Sequence, residues 1–446
     1  MVAVVSGSGL GLLNTSYKTL NGQGTLGQSS QGRAGEAVFV NAANGNLVIQ
    51  RQDDALWGGG GGVGLLRTYN SLAGWEGDSS SDGWRLSFAR KVFGLTGSVG
   101  QAGSTVRRVD ADGHESVYAY DANRQSYVNT DGDGAYDTLK YDASGYWTWT
   151  DGQTGNRDIY AAAPNGEWQL SQTEDQDGNG VHVFYNADGS LSRLDTWRGG
   201  VATGESVRLG YTGNQLTSVT TIANDGTQVH TRYEYDSQGR LKQVTTDLGD
   251  SKTYWVSYTY EGTSNRLATL TQTDGSQLGF TYDAWGRVET VSEKAQSNTF
   301  SGMRKTTYIY DDNTRTTTVK DPANAITELT YDAEGRLVAV RMPAVAGVGQ
   351  LTQYAYDDKG NVISVTNALN QVTTYEYDPQ GNRILDRDAV GNTIRRLYGA
   401  SNELLEETVT PFPIRTARVG NFPPHLRPRT TSMPTALMAH ITYASS

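Results

Sequence analysis

The hydrophobic and polar positions of this chain alternate over short stretches, and similar stretches recur along most of its length. From Val229 to Tyr235, Val, Thr and Tyr occupy every second position, and His, Arg and Glu lie between them. A period of two with these residue types predicts a half-buried β-strand. Helical patterns are nearly absent, and the best helix candidate, Ser401 to Thr408, is short. The pattern predicts an all-β fold.

Each predicted strand runs into a D-x-x-G sequence, as from Asp236 to Gly239. Aspartate suits the first position of a type I turn, where its carboxylate accepts backbone N–H groups, and glycine suits the left-handed position that closes the hairpin loop. Arg240 and Leu241 then begin the return strand. One unit is therefore strand, tight turn, strand, and about 13 such hairpins would form one long, curved antiparallel sheet.

This unit recurs with a tyrosine immediately before the turn. The tyrosines are spaced by 21 to 28 residues, at Tyr185, Tyr211, Tyr235, Tyr260, Tyr282, Tyr310, Tyr331, Tyr356, Tyr377 and Tyr398. The best copies predict structural turn residues at Tyr235, Asp236 and Gly239; Tyr282, Asp283 and Gly286; Tyr331, Asp332 and Gly335; Tyr356, Asp357 and Gly360; and Tyr377, Asp378 and Gly381. Because the aspartates recur so often, turn capping explains them better than acid catalysis.

The Y-D-x-x-G-R-L pattern resembles the YD repeat of bacterial RHS (rearrangement hotspot) proteins, which teneurins share. Upstream, the segments Val40 to Asp54, Leu65 to Ser71 and Gly83 to Phe88 resemble the strands that precede the repeats in many RHS proteins. The glycine run from Gly58 to Gly62 departs from that family pattern.

The resemblance implies a β-strand spiral that closes into a hollow shell. In polymorphic toxins and toxin-complex C subunits, such a shell encloses a C-terminal toxic domain. The expected function is therefore a non-enzymatic shell, or part of one, that is secreted or at the cell surface. Its partners would be a toxin cargo or other subunits of a toxin system. The family's acidic segment that releases the toxin has no counterpart that we find in this sequence.

Four regions follow from the pattern. We predict a flexible segment over residues 1–35, a β region over 36–95, the repeat sheet over 96–410 and an atypical tail over 411–446. The tail holds 6 of the 10 prolines, four arginines and no acidic residue. It is either a disordered basic tail or the product of a frameshift near Thr410, because a shifted frame permits repeat-like strings there. We favour the frameshift.

Composition narrows the function further. The net charge is −11, which argues against nucleic-acid binding, and no apolar run is long enough to cross a membrane as a helix. The absence of cysteine excludes disulfides, thiolate metal sites and cysteine nucleophiles. No basic residue precedes Lys18, so a standard signal peptide is not recognisable.

One acidic turn carries the pattern N-x-D-x-D-G-x-x-D, with oxygen-bearing side chains at Asn129, Asp131, Asp133 and Asp137. Oxygen ligands at alternate positions around a glycine turn suit Ca²⁺. The alternative is a hairpin turn rich in ordinary turn formers. Calcium is the only cofactor that the sequence suggests, and both interpretations of this turn remain open.

A second function comes from a different class of protein. Exposed aromatic rings could stack on sugars in an adhesin-like, carbohydrate-binding repeat. The candidates are Trp147, Trp149, Trp168, Trp197 and Trp255. The alternative for these rings is packing across neighbouring strands. A truncated spiral would also leave an unpaired edge near Tyr398, where we expect self-association.

Overall fold

The fold is built from β-strands. The computed structural model describes residues 3–5, 7, 9–12, 30–31, 36–56, 63–73, 82–129, 137–152, 154–294, 304–345, 347–399 and 403–411. Within these ranges, every regular element is a strand, as the period-two pattern predicts. No helix of the length and apolarity needed to cross a membrane occurs in the described part of the chain.

Six strands form the lining sheet: β1 (Ala3–Val5), β2 (Ser30–Gln31), β3 (Glu36–Asn41), β4 (Leu47–Leu56), β5 (Val63–Asn70) and β6 (Trp84–Leu86). Their order is β1-β3-β4-β5-β6, with β2 on β3. Strand β1 pairs parallel with β3, whereas the other pairs are antiparallel. Leu47, Val48 and Ile49 are all fully buried, so β4 is covered on both faces.

All later strands belong to one sheet, which we call the wall. Its first eight strands are β7 (Lys91–Thr96), β8 (Thr105–Val109), β9 (Glu115–Asp121), β10 (Ser126–Asn129), β11 (Thr138–Tyr141), β12 (Trp147–Thr150), β13 (Arg157–Ala162) and β14 (Trp168–Glu174).

The wall continues through β15 (Gly180–Tyr185), β16 (Leu191–Arg198), β17 (Val201–Thr212), β18 (Gln215–Ile222), β19 (Gln228–Tyr235), β20 (Leu241–Asp247), β21 (Thr253–Tyr260), β22 (Leu267–Gln272), β23 (Gln277–Tyr282) and β24 (Val288–Lys294). It ends with β25 (Arg304–Asp311), β26 (Thr316–Lys320), β27 (Ile326–Tyr331), β28 (Leu337–Val345), β29 (Val348–Tyr356), β30 (Val362–Thr366), β31 (Val372–Tyr377), β32 (Arg383–Arg387), β33 (Thr393–Tyr398) and β34 (Leu404–Thr410).

Consecutive strands of the wall pair antiparallel, and its first eight strands close on themselves. Trp168 in β14 lies opposite Val92 in β7, and Gln169 lies opposite Lys91. The same edge of β14 then pairs with β15, where Glu174 lies opposite Gly180. Strands β7–β14 therefore form a closed ring, and the remaining strands continue from it as a spiral.

The interior of this ring is packed. Each of its eight strands contributes one fully or almost fully buried side chain, namely Val92, Val106, Tyr118, Tyr127, Leu139, Trp147, Tyr160 and Leu170. These residues share one continuous apolar core with the lining sheet, through Val40, Leu47, Ile49 and Trp84, and with later wall strands, through Val219, Tyr233, Val244 and Tyr258. The lining sheet thus lies against the inner face of the wall.

The wall also curls back toward its own beginning. Arg124, in the turn between β9 and β10, donates a hydrogen bond from Nη2 to the carbonyl oxygen of Pro379, in the turn between β31 and β32. Two hairpins that are far apart in sequence are therefore neighbours in space.

The end of the wall bears on two features that the sequence indicated. Residues Leu404–Thr410 form strand β34, so the best helix candidate of the sequence contains a strand over these residues. Tyr398 lies opposite Leu404, so β33 is not the edge strand, and self-association at the edge that follows it stays a prediction. Strand β34 satisfies the backbone groups of β33, and its Thr and Val residues favour a strand.

The division into four regions stays a prediction, although the strands bear on it. Strand β1 and the buried Leu12 lie within the segment 1–35 and pack in the lining sheet. The wall begins at Lys91, close to the predicted start of the repeats. The glycine run 58–62, the aspartates Asp131 and Asp133, and the tail 412–446 lie outside the described residues.

Candidate functional site: the inner face of the wall and its lining

The YD turn is built around its aspartate. Asp236 Oδ1 accepts the backbone N–H groups of Gln238 at 2.9 Å and Arg240 at 3.0 Å, and Oδ2 accepts Nε of Arg240 at 2.8 Å. Gly239 closes the loop at φ +82°, in the left-handed region that favours glycine. Hydrogen bonds to the ionised form hold the pKa of Asp236 below its ordinary value, although partial burial acts in the opposite direction.

The same capping recurs in the other copies. Asp283 and Asp332 also bond the arginine four residues later, at 2.7 and 2.6 Å. In further turns an asparagine replaces that arginine and donates its Nδ2 to the aspartate, as Asn179 does to Asp175, Asn361 to Asp357, Asn382 to Asp378 and Asn392 to Asp388. The glycines Gly286, Gly335, Gly360 and Gly381 all have φ between +78° and +85°. The repeat aspartates thus act within their own turns.

The repeat tyrosines join each hairpin to an earlier one, which the sequence did not reveal. Seven of the ten hydroxyls donate to a backbone carbonyl 15 to 22 residues upstream: Tyr185 to Leu170, Tyr235 to Leu216, Tyr260 to Leu241, Tyr282 to Leu267, Tyr310 to Val288, Tyr356 to Leu337 and Tyr377 to Val362. The strand register shifts immediately before most of these tyrosines, as between Glu234 and Tyr235. Such a bulge re-aims a side chain. In the sequence, the only sign of these bonds is the regular position of a tyrosine immediately before each turn.

The repeat arginines add a second link between hairpins. The guanidinium groups stack on tyrosine rings further along the wall: Arg240 on Tyr260, Arg266 on Tyr282, Arg287 on Tyr310 and Arg336 on Tyr356, at 4.4 to 5.5 Å from the ring centroid. A cation over an aromatic face stabilises the contact by roughly 0.5–1 kcal/mol where it is exposed. Each Y-D-x-x-G-R unit is therefore a clamp as well as a turn.

A buried cluster of charged residues joins the lining sheet to the wall. Arg67 binds Asp53 with two hydrogen bonds, of 2.7 and 3.1 Å, and donates to the hydroxyl of Tyr258 at 3.2 Å. Its guanidinium also lies 4.1 Å from the Trp84 ring centroid. Tyr233 donates to Asp53 at 2.8 Å. Burial by itself would lower the pKa of Arg67, but Asp53 outweighs it and holds the pKa well above its ordinary value.

Arg51 extends this cluster to a second carboxylate. It contacts Glu36 at 3.2 Å and Asp53 at 3.3 Å. Gln272 of the wall donates to the other oxygen of Glu36 at 2.6 Å. Burial raises the pKa of Glu36, and Arg51 opposes that shift. Two arginines face two carboxylates with side chains at most 3 % exposed, so the cluster is neutral and nearly dry. This arrangement suits a specific contact between two sheets.

The tip of the lining sheet enters the wall at a second point. Val288 of the wall donates its backbone N–H to the Gly45 carbonyl at 2.9 Å, and the Thr317 hydroxyl donates to the Ala42 carbonyl at 2.6 Å. A Cβ on Gly45 would lie 2.2 Å from Cβ of Arg287. Only a glycine fits at this contact.

A cavity of about 390 Å³ lies between β6, the start of β7 and the wall. Tyr185, Tyr211 and Tyr235 line one side, and Arg90 and Lys91 line another. Three of its four lining cations are paired with carboxylates, Arg90 with Asp158 at 2.6 Å, Lys91 with Glu167 at 3.0 Å and Arg67 with Asp53 at 2.7 Å. The cavity therefore offers aromatic surface rather than a free cationic site.

The predicted calcium turn is described only at its ends. Asn129 is buried at the end of β10, and Asp137 Oδ1 accepts the Gly152 N–H at 3.0 Å. No group of three metal-ligating side chains occurs among the described residues, and Asp131 and Asp133 are not among them. The calcium site stays a prediction.

Four of the five tryptophans proposed as sugar platforms make contacts inside the protein. Trp147 is fully buried among Tyr127, Tyr141 and Trp168. Trp149 donates to Tyr118 and lies under Arg108, and Trp197 stacks on His182 at 4.2 Å. Burial removes Trp147 as a platform.

Comparison with known proteins identifies the repeats. The teneurin YD-shell profile matches residues 165–301, and the RHS repeat profile matches residues 305–344 and 356–393. No sequence among the curated proteins matches this chain.

The matches among solved structures include crystal structures of a toxin complex. The crystal structure of TcdB2-TccC3 without its hypervariable C-terminal region has 13 % identity over 82 % of this chain and 21 % of that chain, with a TM-score of 0.41. The crystal structure of TcdB2-TccC3-TEV has 15 % identity over 81 % of this chain and 22 % of that chain, with a TM-score of 0.42. This chain thus spans about a fifth of the length of those chains. Between residues 165 and 393, the chain thus carries repeats that match the YD-shell and RHS repeat families.

Proposed function

We propose that this chain is a non-enzymatic part of a shell that encloses a cargo polypeptide, which in this family is a toxin domain. The observation that carries the proposal is the continuation of the inner face beyond the lining sheet. Tyr233 is 4 % exposed under the lining. The equivalent tyrosine of a later repeat, Tyr375, is only partly buried. The inner face is thus more accessible at Tyr375 than it is under the lining sheet.

The covered part of the wall supports this role. It already holds one folded sheet against its inner face, through apolar packing and the neutral charge cluster. An inner face made of apolar side chains and paired charges is suited to packing against a polypeptide surface, and this role requires no catalytic group. Other subunits of a toxin system, secretion and display at the cell surface come with the same proposal.

The coding DNA provides the first test. We would sequence it from about codon 400 to well beyond the last codon, in all three frames. We expect further YD repeats followed by a distinct domain in a shifted frame. No continuing repeats in any frame would overturn the assignment as part of a larger shell.

The longest product of that DNA provides the second test. In the native product, the domain that follows the repeats should resist a nonspecific protease that digests the same domain when it is expressed alone. Equal digestion rates would show that the domain lies outside the wall. A glycan array of the present chain, with and without a chelator, separates this role from the adhesin-like alternative, which predicts binding.

A further inference from the structure

The first described residues of the chain lie in a groove whose side chains form hydrogen bonds to their backbone. Five contacts to this backbone come from side chains. Asn41 Nδ2 donates to the Gly7 carbonyl, Asn44 Nδ2 to the Gly9 carbonyl, and His114 Nδ1 contacts the Leu10 carbonyl, at 2.9, 2.7 and 3.2 Å. Asn70 Oδ1 accepts the Gly11 N–H at 2.9 Å, and Asp112 Oδ2 accepts the Leu12 N–H at 2.5 Å.

The side chains that form this groove come from both sheets. Asn41, Asn44 and Asn70 belong to the lining sheet, whereas Asp112 and His114 lie in the turn between β8 and β9 of the wall. Asn70 Nδ2 also donates to the Asp112 carbonyl at 2.9 Å. The bound segment therefore crosses the junction between the two sheets.

Strand β1 extends the contact by adding to a sheet edge. It pairs parallel with β3, with Ala3 opposite Phe39 and Val5 opposite Asn41. Ala3, Val5 and Leu12 are at most 3 % exposed and form a small apolar core with Phe39 and Val48. Strand addition supplies affinity through the main chain, and the small apolar pockets supply register.

Glycine is required at one position of the bound segment by space as well as by backbone conformation. Gly9 and Gly11 have φ of +73° and +68°. A Cβ on Gly11 would lie 2.4 Å from Cγ of Asp112, whereas a Cβ on Gly9 would meet only the His114 ring, at 3.6 Å. The two positions carry the same backbone strain but differ in steric room.

We propose that the β3 edge, together with Asn41, Asn44, Asn70, Asp112 and His114, is a binding site for an extended, glycine-bearing peptide. The described residues 3–5, 7 and 9–12 occupy it in cis, and the site takes the same peptide when it is supplied in trans, including from a second copy of the chain. The hydrogen bonds go to backbone carbonyl and N–H groups, so the site selects a peptide mainly by its backbone conformation. It also requires a glycine at the Gly11 position and small or aliphatic residues at the two ends of the peptide. This inference stands independently of the shell function.

The full chain with Gly11→Ala tests the proposal, because its own segment no longer fits. The probe is a synthetic peptide of residues 3–12 with a fluorophore on an added C-terminal lysine, where the natural chain continues. Fluorescence anisotropy should show saturable binding to the Gly11→Ala chain. The wild-type chain, whose groove is filled, should bind at least tenfold more weakly.

Two variant peptides serve as a matched pair. A peptide with Gly11→Ala should not bind, because its Cβ meets the Asp112 carboxylate. A peptide with Gly9→Ala should bind about fivefold more weakly than the natural peptide, from backbone strain alone. A folded Gly11→Ala chain that fails to bind the natural peptide, or equal loss with both variant peptides, would overturn the proposal.

Hydrogen–deuterium exchange of the wild-type chain keeps the proposal testable if Gly11→Ala prevents folding. The amides of Gly11 and Leu12 should exchange by a local opening, at least tenfold faster than the ladder amides of β8 and β9. An excess of unlabelled peptide should accelerate that exchange by occupying the emptied groove. Exchange of the segment at the same rate as β8 and β9, with no effect of peptide, would show that it is a fixed part of the fold.

Discussion

The guanidinium carbon of Arg240 lies 4.6 Å from the centroid of the Tyr260 ring, while Nε of the same arginine bonds Asp236 in its own turn. Its Nη1 also donates to the carbonyls of Gly262 and Ser264, at 2.9 and 2.7 Å. One side chain thus closes its own hairpin and fixes a later one. Stability of the wall depends on such links, because each hairpin contacts mainly its neighbours.

Substitution of this arginine should therefore weaken the wall. We expect Arg240→Gln to lower the free energy of unfolding by about 1–3 kcal/mol, since it removes the ring contact and several charge-assisted hydrogen bonds. Urea denaturation measures the change. The control is Arg341→Gln, whose partner Glu328 lies 3.2 Å away in a largely exposed pair and which should change stability by less than ~0.5 kcal/mol. Equal losses would contradict the clamp.

The tyrosine hydroxyls should differ in their contributions. The Tyr260 hydroxyl donates to the Leu241 carbonyl and also accepts the Trp84 indole N–H at 3.2 Å, whereas the Tyr377 hydroxyl donates to the Val362 carbonyl. We expect Tyr260→Phe to lower the free energy of unfolding by about 2 kcal/mol and Tyr377→Phe by about 1 kcal/mol. The first loss is larger because it leaves the Trp84 indole N–H, a buried donor, without a partner. Thermal or urea unfolding of both variants provides the comparison. A larger loss at Tyr377 would contradict the reasoning.

The charge cluster between the sheets should show strong coupling. Arg67→Met leaves Asp53 buried without its main partner, and we expect a loss of about 3–5 kcal/mol. The double variant Arg67→Met/Asp53→Leu removes both charges and should recover most of that loss. A double-mutant cycle by denaturant unfolding measures the coupling energy. Additive effects would mean that the two residues act independently.

The tip of the lining sheet provides a test of docking. Gly45→Ala places a Cβ against the backbone and side chain of Arg287, and Gly45 already has φ +77°. The matched control is Gly226→Ala, which has φ +82° but nothing within 4 Å. Gly226→Ala should lower the free energy of unfolding by roughly 1 kcal/mol, from backbone conformation alone. Gly45→Ala should lower it clearly more, and urea denaturation measures both changes. Similar losses would show that the tip does not constrain the wall.

Acid should weaken one further contact in the ring. Burial alone would raise the pKa of Asp110, but Arg108 and Arg90 lower it to about 2. A carboxylate with a depressed folded-state pKa contributes stability that is complete above its unfolded pKa of about 3.9 and is lost as the pH falls toward 2.

We therefore expect Asp110→Asn to be less stable than the wild type by about 2 kcal/mol at pH 6. The difference should shrink between pH 4 and pH 2. Urea unfolding at several pH values measures it. A difference that stays constant with pH would show that Asp110 acts through packing rather than through its charge.

Local patterns predicted the repeating part of the fold. The alternation ending at Tyr235 and the turn from Asp236 to Gly239 specify a strand and a hairpin, because both depend on neighbours in sequence. The contacts made by Arg67 and Tyr258 depend on residues 191 positions apart, and no local period reports such a distance. The charged residues Arg51, Asp53 and Arg67, which follow apolar residues within β4 and β5, are the only local sign of this contact in the sequence.

The end of the wall shows a different limit of sequence reasoning. Leu404 to Thr410 has no strong period, and its conformation is decided by the strand beside it. The tyrosine clamp was missed for a related reason: the hydroxyl of Tyr260 reaches a carbonyl that no side-chain pattern marks. The binding groove for residues 7–12 is likewise formed by side chains from distant parts of the chain.

Strand β14 shares one edge between β7 and β15, and this gives the sheet a polarity of growth. The first strand of the ring has both edges occupied, by β8 and by β14, so hairpins cannot be added on the N-terminal side. They can be added only after the last strand, in the direction in which a ribosome makes the chain. Each new hairpin can therefore pair with a strand that has already folded, and the wall can lengthen in step with synthesis.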